Sequence, residues 1–376
     1  TLTGKLTYAS TASSTFGGVI AGTGTLAKSG TSTLTLTGID TYTGATTVTA
    51  GTLQVGDGTT SNLTGTSGVT ISSGATLALN LTNGDTFSAP IKNSGHLTSN
   101  PTAGSNTISS AVNGTGNFIK NGAGTTTLTG VNSYTGGTVI NAGKLLVNNP
   151  SGSGTGTGAV TVNGSGTLGG SGTITGAVTL NNGGFVAPGA GSPGVAGTTL
   201  HATSMMWNAG GTLSLQLGPT GDELVLTGAL TKGGAGSYTL NLIDTGITQS
   251  SYTLATFSST TFAPANFTLN LPAGYTGSLV ETSTSLILNL GHGSQPADTT
   301  SGGTLTVNDS HTSPSTTTLD SSSVMLTSSA FMHSSDILVQ SDSIPLTLTP
   351  TPEPGSVALL ALGAGALLGR RKRRRA

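Results

Sequence analysis

Residues 22–55 recur at 114–147 with a constant offset of 92 and no gap. Gly22, Gly24, Lys28, Gly30, Leu36 and Gly38 correspond to Gly114, Gly116, Lys120, Gly122, Leu128 and Gly130. Tyr42, Gly44, Ala50, Gly51, Leu53 and Val55 correspond to Tyr134, Gly136, Ala142, Gly143, Leu145 and Val147, while Asp40 becomes Asn132. So dense a match marks a duplicated structural unit. A shorter pattern fills the chain between and after the copies. Val69, Ile71 and Leu77 share their spacing with Val160, Val162 and Leu168, and Val178, Leu180 and Val186 repeat it 18 residues further on. Apolar residues at i and i+2 lie on one face of a strand, and a Gly-containing turn then redirects the chain. One such unit cannot bury its apolar face alone. Coiling many units buries a continuous narrow core and pairs each strand with the next turn.

The expected fold is therefore all-β: a parallel β-helix (solenoid) over about residues 17–290. At about 20 residues per turn and about 4.8 Å between strands it would be about 65 Å long. The nine apolar residues just listed should point inward, and the two copies should share one backbone. Composition agrees. Only 7% of residues are charged and 4% aromatic, and there are 60 Gly. Low charge, small side chains and abundant Thr suit stacked strands with tight turns. Alternating Leu, Val and Ile argue against a disordered Gly/Ser/Thr chain. With no Cys, disulfides and thiolate metal sites are excluded. The body carries six Lys and no Arg, so nothing in it offers the clustered cations that nucleic acid requires.

The stretch from Gly22-Thr-Gly-Thr-Leu-Ala-Lys28 through Leu34-Thr-Leu-Thr-Gly38 and Thr41-Tyr-Thr-Gly44 to Ala50-Gly-Thr-Leu-Gln-Val55 resembles the autotransporter-associated β-strand repeat, and 114–147 matches it equally well. Ala187-Pro-Gly-Ala-Gly-Ser-Pro-Gly194, Gly210-Gly-Thr-Leu-Ser-Leu215 and Asp222-Glu-Leu-Val-Leu-Thr-Gly228 resemble the later part of such proteins. The resemblance implies a parallel β-helix in an exported surface protein and no catalytic activity. The chain starts with Thr1 inside a repeat, so an export signal is expected to have been removed or left out.

Four segments are expected: the repeat-bearing β-helix over 1–200, its C-terminal β-rich part or cap over 201–291, a mostly disordered, Ser/Thr-rich acidic linker over 292–350, and a sorting tail over 351–376. The second holds Tyr252, Phe257, Phe262 and Phe267, bulky residues suited to covering an open solenoid end. In the linker, Asp298, Asp309, Asp320, Asp336 and Asp342 face no basic residue. Val324–Leu326 and Ile337–Val339 are candidate short strands.

In the tail, Pro352-Glu353-Pro354 precedes an apolar run that includes Val357, Leu359, Leu360, Leu362, Leu367 and Leu368. Arg370, Arg371, Lys372, Arg373, Arg374 and Arg375 follow. These three parts in this order resemble the PEP-CTERM sorting signal. The resemblance implies an exosortase-type membrane protease as partner. Twelve apolar residues at about 1.5 Å each span about 18 Å, short of a bilayer core of about 30 Å. Residues 355–369 are expected to form one short helix. The basic cluster should stay cytoplasmic, tethering the precursor to the inner membrane. The mature destination is the cell surface, outer membrane or extracellular matrix.

Other chemistry is weaker. Gly154, Gly156 and Gly158 lack the following helix of a phosphate cradle. His96, His201, His292, His311 and His333 form no close pair and read as exposed loop residues, so no metal site is assigned. Asp222 and Glu223 read as a turn before a strand rather than an acid–base pair. Asp40, Asp57 and Asp85 read as structural turn residues without the nonapeptide calcium repeat. No catalytic residue or cofactor is assigned. A non-enzymatic surface or matrix protein is the leading reading, an adhesin binding exopolysaccharide or other surface components the second. An enzyme acting on polysaccharide comes third, because the solenoid has no Arg and few acids.

Overall fold

A computed structural model describes residues 1–59, 62–190, 197–292, 304–307 and 315–318. The chain divides into two units, Thr1–His292 and Gly293–Ala376. The first is a parallel β-solenoid whose strands stack into sheets of six, sixteen and nine strands. Most strands are only two to five residues long, as in Thr25–Lys28, Thr46–Val48 and Thr52–Val55. Each is too short to be stable alone; its backbone groups are satisfied by the turns on either side.

Inward side chains stack rung on rung. One ladder in the sixteen-stranded sheet runs Leu34, Leu53, Leu77, Leu97, Phe118. A second runs Leu36, Val55, Leu79, Ser99, Lys120, Ile140, Val162, Leu180, Trp207. Val69, Ile71, Leu77, Val160, Val162, Leu168, Val178, Leu180 and Val186 are all buried. Val160 pairs directly with Val178, so a turn there takes the 18 residues read from sequence. The parallel solenoid and its inward set are thus as expected.

The two repeat copies also share one local backbone. Thr25–Lys28, Thr33–Leu36, Thr46–Val48 and Thr52–Val55 recur as Asn117–Lys120, Thr125–Leu128, Thr138–Ile140 and Gly143–Val147. Gly22 and Gly114 open them with φ of +124° and +112°. A Cβ at either would strike the carbonyl of the turn below, Leu2 or Asn93, so glycine is required twice over.

The copies do not, however, lie on the same side of the solenoid. Leu26, Thr46, Val69, Ile91 and Val112 stand in register in the six-stranded sheet, climbing four turns. Phe118, the repeat partner of Leu26, lies on the next strand, in the sixteen-stranded sheet. Thr33–Leu36 belongs to the sixteen-stranded sheet, and its counterpart Thr125–Leu128 to the nine-stranded one. The offset of 92 therefore equals four turns plus one side. What was duplicated is a corner with its flanking strands.

At the other end the pairing changes sense. Ser251–Thr256 pairs antiparallel with Ser285–His292, which pairs antiparallel with Tyr275–Glu281. Below them Trp207 packs against Tyr238, Phe262 and Phe267, with ring centroids 5.7–5.9 Å apart. The last coils thus end in a cluster of bulky rings and a reversed, antiparallel hairpin. The only helical turn among the described residues is a 3-10 turn, Pro264–Asn266. In the second unit Thr304–Val307 pairs antiparallel with Ser315–Thr318. The expected helix at 355–369 and the candidate strands at 324–326 and 337–339 lie outside the described residues.

Leu77 sits fully buried between Leu53 and Leu97. Leu77→Ala should destabilise by about 2–5 kcal/mol, and outward Thr70→Ala by less than about 0.5 kcal/mol. Hydrogen exchange of the turns around each position is the suitable measurement, because a solenoid need not unfold in one step. Equal effects would contradict the inward ladder.

Candidate functional site: the polar corners of the solenoid and the sorting tail

The residues with which sequence analysis associated chemistry are dispersed. His96 and His201 are exposed on strands rather than loops, and His292 ends a strand. His96 Nδ1 lies 2.7 Å from Asn117 Oδ1 of the next turn. No three His, Asp or Glu residues come together in a metal-binding group among the described residues. Gly156 has φ +67°, and the chain runs from these glycines into the strand Val160–Val162; they turn a corner. Asp57 accepts hydrogen bonds from the Thr59 amide and hydroxyl, closing a turn as expected.

Asp222 and Glu223 do not act as a pair. Asp222 is buried and accepts hydrogen bonds from the Thr198 amide at 2.9 Å, the Gln216 amide at 3.1 Å and Gln216 Nε2 at 3.3 Å. Burial raises its carboxyl above the ordinary range, partly opposed by these donors. Glu223 opens the strand Glu223–Leu226. The carboxylate ties neighbouring turns, and the turn-before-strand reading describes the pair.

Asp40 differs from its expectation. It is not in a turn: it lies in the short strand Ile39–Asp40 and is fully buried. Its Oδ1 accepts the Ile20 amide of the turn below at 2.7 Å, and its Oδ2 has no hydrogen-bond partner. Asn132 performs the same task one copy later. There Oδ1 accepts the Val112 amide at 2.8 Å, and Nδ2 donates to the Gly154 carbonyl of the turn above at 2.6 Å. An amide can bridge upward and downward at once; an ionised carboxylate can only accept. Burial accordingly pushes the Asp40 carboxyl up to about 6, against the pull of the Ile20 amide.

Two further corner residues recur in chemical detail. Tyr42 and Tyr134 are buried, with hydroxyls 2.5 and 2.6 Å from Thr46 and Thr138 Oγ1. Burial raises both phenols. The Lys28 ammonium donates to the carbonyls of Gly30 and Ala50, and that of Lys120 to those of Gly122 and Ala142. Each lysine thus straps one turn to the next without a carboxylate. Desolvation lowers both, Lys120 to about 8.

One feature escaped sequence analysis. Asn141, Asn163, Asn181 and Asn208 each donate through Nδ2 to the Oδ1 of the asparagine one turn below, starting from Asn121, at 2.7–2.9 Å. Its signal was present: an Asn follows the last inward residue in Ile140-Asn141, Val162-Asn163, Leu180-Asn181 and Trp207-Asn208. The unequal intervals between these residues hid the pattern.

The sorting-tail residues Pro352, Glu353, Pro354, Val357 to Leu368 and Arg370 to Arg375 lie outside the described residues. Among the described residues no helix is long and apolar enough to cross a membrane.

The passenger-associated-transport-repeat family model matches residues 26–55 and 118–147, the two copies that share corner chemistry. The PEP-CTERM protein-sorting motif matches residues 350–375. Among curated proteins, the Adhesin BmaC autotransporter of Brucella suis biovar 1 (strain 1330) is 38% identical over 86 residues. That alignment covers 23% of this chain and 2% of the adhesin, so the similarity concerns a small part of that protein. The chain thus carries two autotransporter-type repeats on a β-solenoid and a PEP-CTERM motif. These are the marks of an exported, cell-surface or extracellular protein whose sorting motif implies processing by exosortase, a membrane protease.

Asp40 gives a pH dependence of known sign. Its folded pKa of about 6 lies above the ordinary 3.8, so the folded state binds the proton more tightly. Local stability should rise as pH falls from about 7 to about 4, by up to about 3 kcal/mol. Asp40→Asn should stabilise these turns at pH 7.5 and abolish that gain. Hydrogen exchange of the segment containing Ile20 and Asp40, followed against pH, reads both effects; an unchanged pH profile in the variant would refute the assignment.

Proposed function

We propose that the chain is a non-enzymatic structural protein of the cell surface or extracellular matrix. The β-helix over 1–200 and its cap over 201–291 form the displayed body, 292–350 a linker, and 351–376 the processed tail. The observation that carries this reading is the use of the buried ionisable groups. Lys28, Lys120, Asp40 and Asp222 are each bonded to the backbone of neighbouring turns. Their chemistry is spent on joining coils, whereas a hydrolase or lyase needs acids and cations converging on a substrate. A screen for polysaccharide hydrolysis and elimination is expected to find no turnover.

In the tail, Pro352, Glu353 and Pro354 form the sorting motif. Val357, Leu359, Leu360, Leu362, Leu367 and Leu368 form the membrane segment, and Arg370 to Arg375 are held on the cytoplasmic side until cleavage. Cleavage after the motif removes six cations and moves the formal charge from −1 to about −7. An adhesin is the second reading, supported by the similarity to an autotransporter adhesin.

Replacing Pro352, Glu353 and Pro354 by alanine, in a host possessing the sorting protease, should retain the chain in the inner membrane with its full mass. The unaltered protein should lose the basic tail and reach the surface or medium. Cell fractionation with mass spectrometry of the mature C-terminus is the measurement. Identical mass and location for both proteins would reduce the tail to a plain anchor.

A further inference from the structure

The outer face of the six-stranded sheet carries exposed lysines and no acid on its strands. Two shallow, open depressions on this face share Ala45 as a lining residue and lie over successive strands of the sheet. Small residues, among them Ala27, Ala45 and Gly68, form the floor. Hydroxyls rise from the first four strands: Thr7, Thr47 and Thr70 are outward in the register that runs Thr7, Ala27, Thr47, Thr70, Lys92, Asn113, and Thr25 stands beside Lys5 in the register two residues away. Lys5 stands exposed on the first strand of this sheet and Lys92 on the fifth. No Asp or Glu lies on any of the six strands. The two ammonium groups are therefore not neutralised by an acid on these strands.

We propose that this trough binds an extended, carboxylate-bearing polysaccharide laid along the solenoid axis, with Lys5 and Lys92 holding acidic sugars and the threonine hydroxyls holding ring hydroxyls between them. Four strand steps of about 4.8 Å separate the lysines by about 19 Å. One strand step is close to the length of one sugar unit in an extended chain, so each rung meets a fresh unit. Threonine hydroxyls both donate and accept, as sugar hydroxyls do. The small floor lets a flat ring approach the sheet. A neutral polymer would leave the lysines without a counter-charge, and an acidic residue inside the trough would repel an acidic one.

The proposal rests on the surface reading only in placing the trough where such a polymer is found. The test uses the full 376-residue chain in mild detergent and a fluorescently labelled alginate hexasaccharide, read by anisotropy. Binding should be saturable and weaken as salt rises. The double variant K5Q/K92Q should weaken it about tenfold, and T70E, which places a carboxylate between the lysines, should weaken it further. K144Q, on the nine-stranded sheet, should bind as the unaltered chain does. A labelled dextran hexasaccharide should bind far more weakly. Absence of alginate binding, equal binding of dextran, or equal losses in K144Q and K5Q/K92Q would overturn the proposal. A chain that is sorted and processed correctly yet ignores alginate would overturn the trough alone and leave the sorting reading standing.

Discussion

The structure depends on backbone pairing between successive turns. A strand of three or four residues has no stability in water by itself, and its peptide groups cannot be buried unpaired. Here each turn is completed by the turn below and the turn above, so register is the quantity the sequence must protect. The ladders show how. Strands hold register while corners absorb differences in length: Leu26 to Thr46 takes 20 residues, and Val160 to Val178 takes 18. An insertion that slipped a whole sheet by one residue would turn its inward set outward; the one irregularity in the parallel ladders of the described residues, between Ile174 and Ala177, is a local bulge after which Val178 and Leu180 pair in register with Met205 and Trp207.

Corners then need fixing by other means, and buried polar side chains supply it. Lys28 and Lys120 each bind two carbonyls one turn apart. Asn132 joins the Val112 amide below to the Gly154 carbonyl above. The asparagine ladder from Asn121 to Asn208 repeats one amide hydrogen bond per turn. Neutral amides suit this better than charges, because burying an ion costs more than a pair of carbonyls returns. The lowered lysines and raised carboxyls at these corners are the electrostatic expression of that cost.

Much of this could be read from sequence wherever a position is governed by its nearest neighbours. Val69, Ile71, Val160 and Val162 announced their burial through i, i+2 spacing, and the gapless offset paired Tyr42 with Tyr134 and Lys28 with Lys120. Relations across turns were harder to read. The rotation of the second copy by one side depends on how many residues each intervening turn takes, which periodicity alone does not give. Asp40 looked like a turn residue because Gly and Thr surround it; its burial is decided by Ile20, a whole turn below. The asparagine ladder was hidden for the same reason.

The two copies also separate what the fold demands from what it leaves free. Inward positions keep their character: Leu36 and Leu128, Val48 and Ile140, Leu53 and Leu145, Val55 and Val147. The exception, Leu34 against Thr126, is compensated, since Thr126 Oγ1 lies 2.7 Å from Ser99 Oγ in the interior. Outward positions change kind: Ala27 becomes Ile119, Thr47 becomes Val139, Thr52 becomes Lys144 and Gln54 becomes Leu146. Because the copies stand on different sides, the same corner chemistry carries a Thr-rich, lysine-flanked surface on one sheet and a more apolar one on the next. A solenoid built this way varies its outer faces independently of its frame. Surface specificity in such a chain can therefore reside in outward residues that no repeat match would single out.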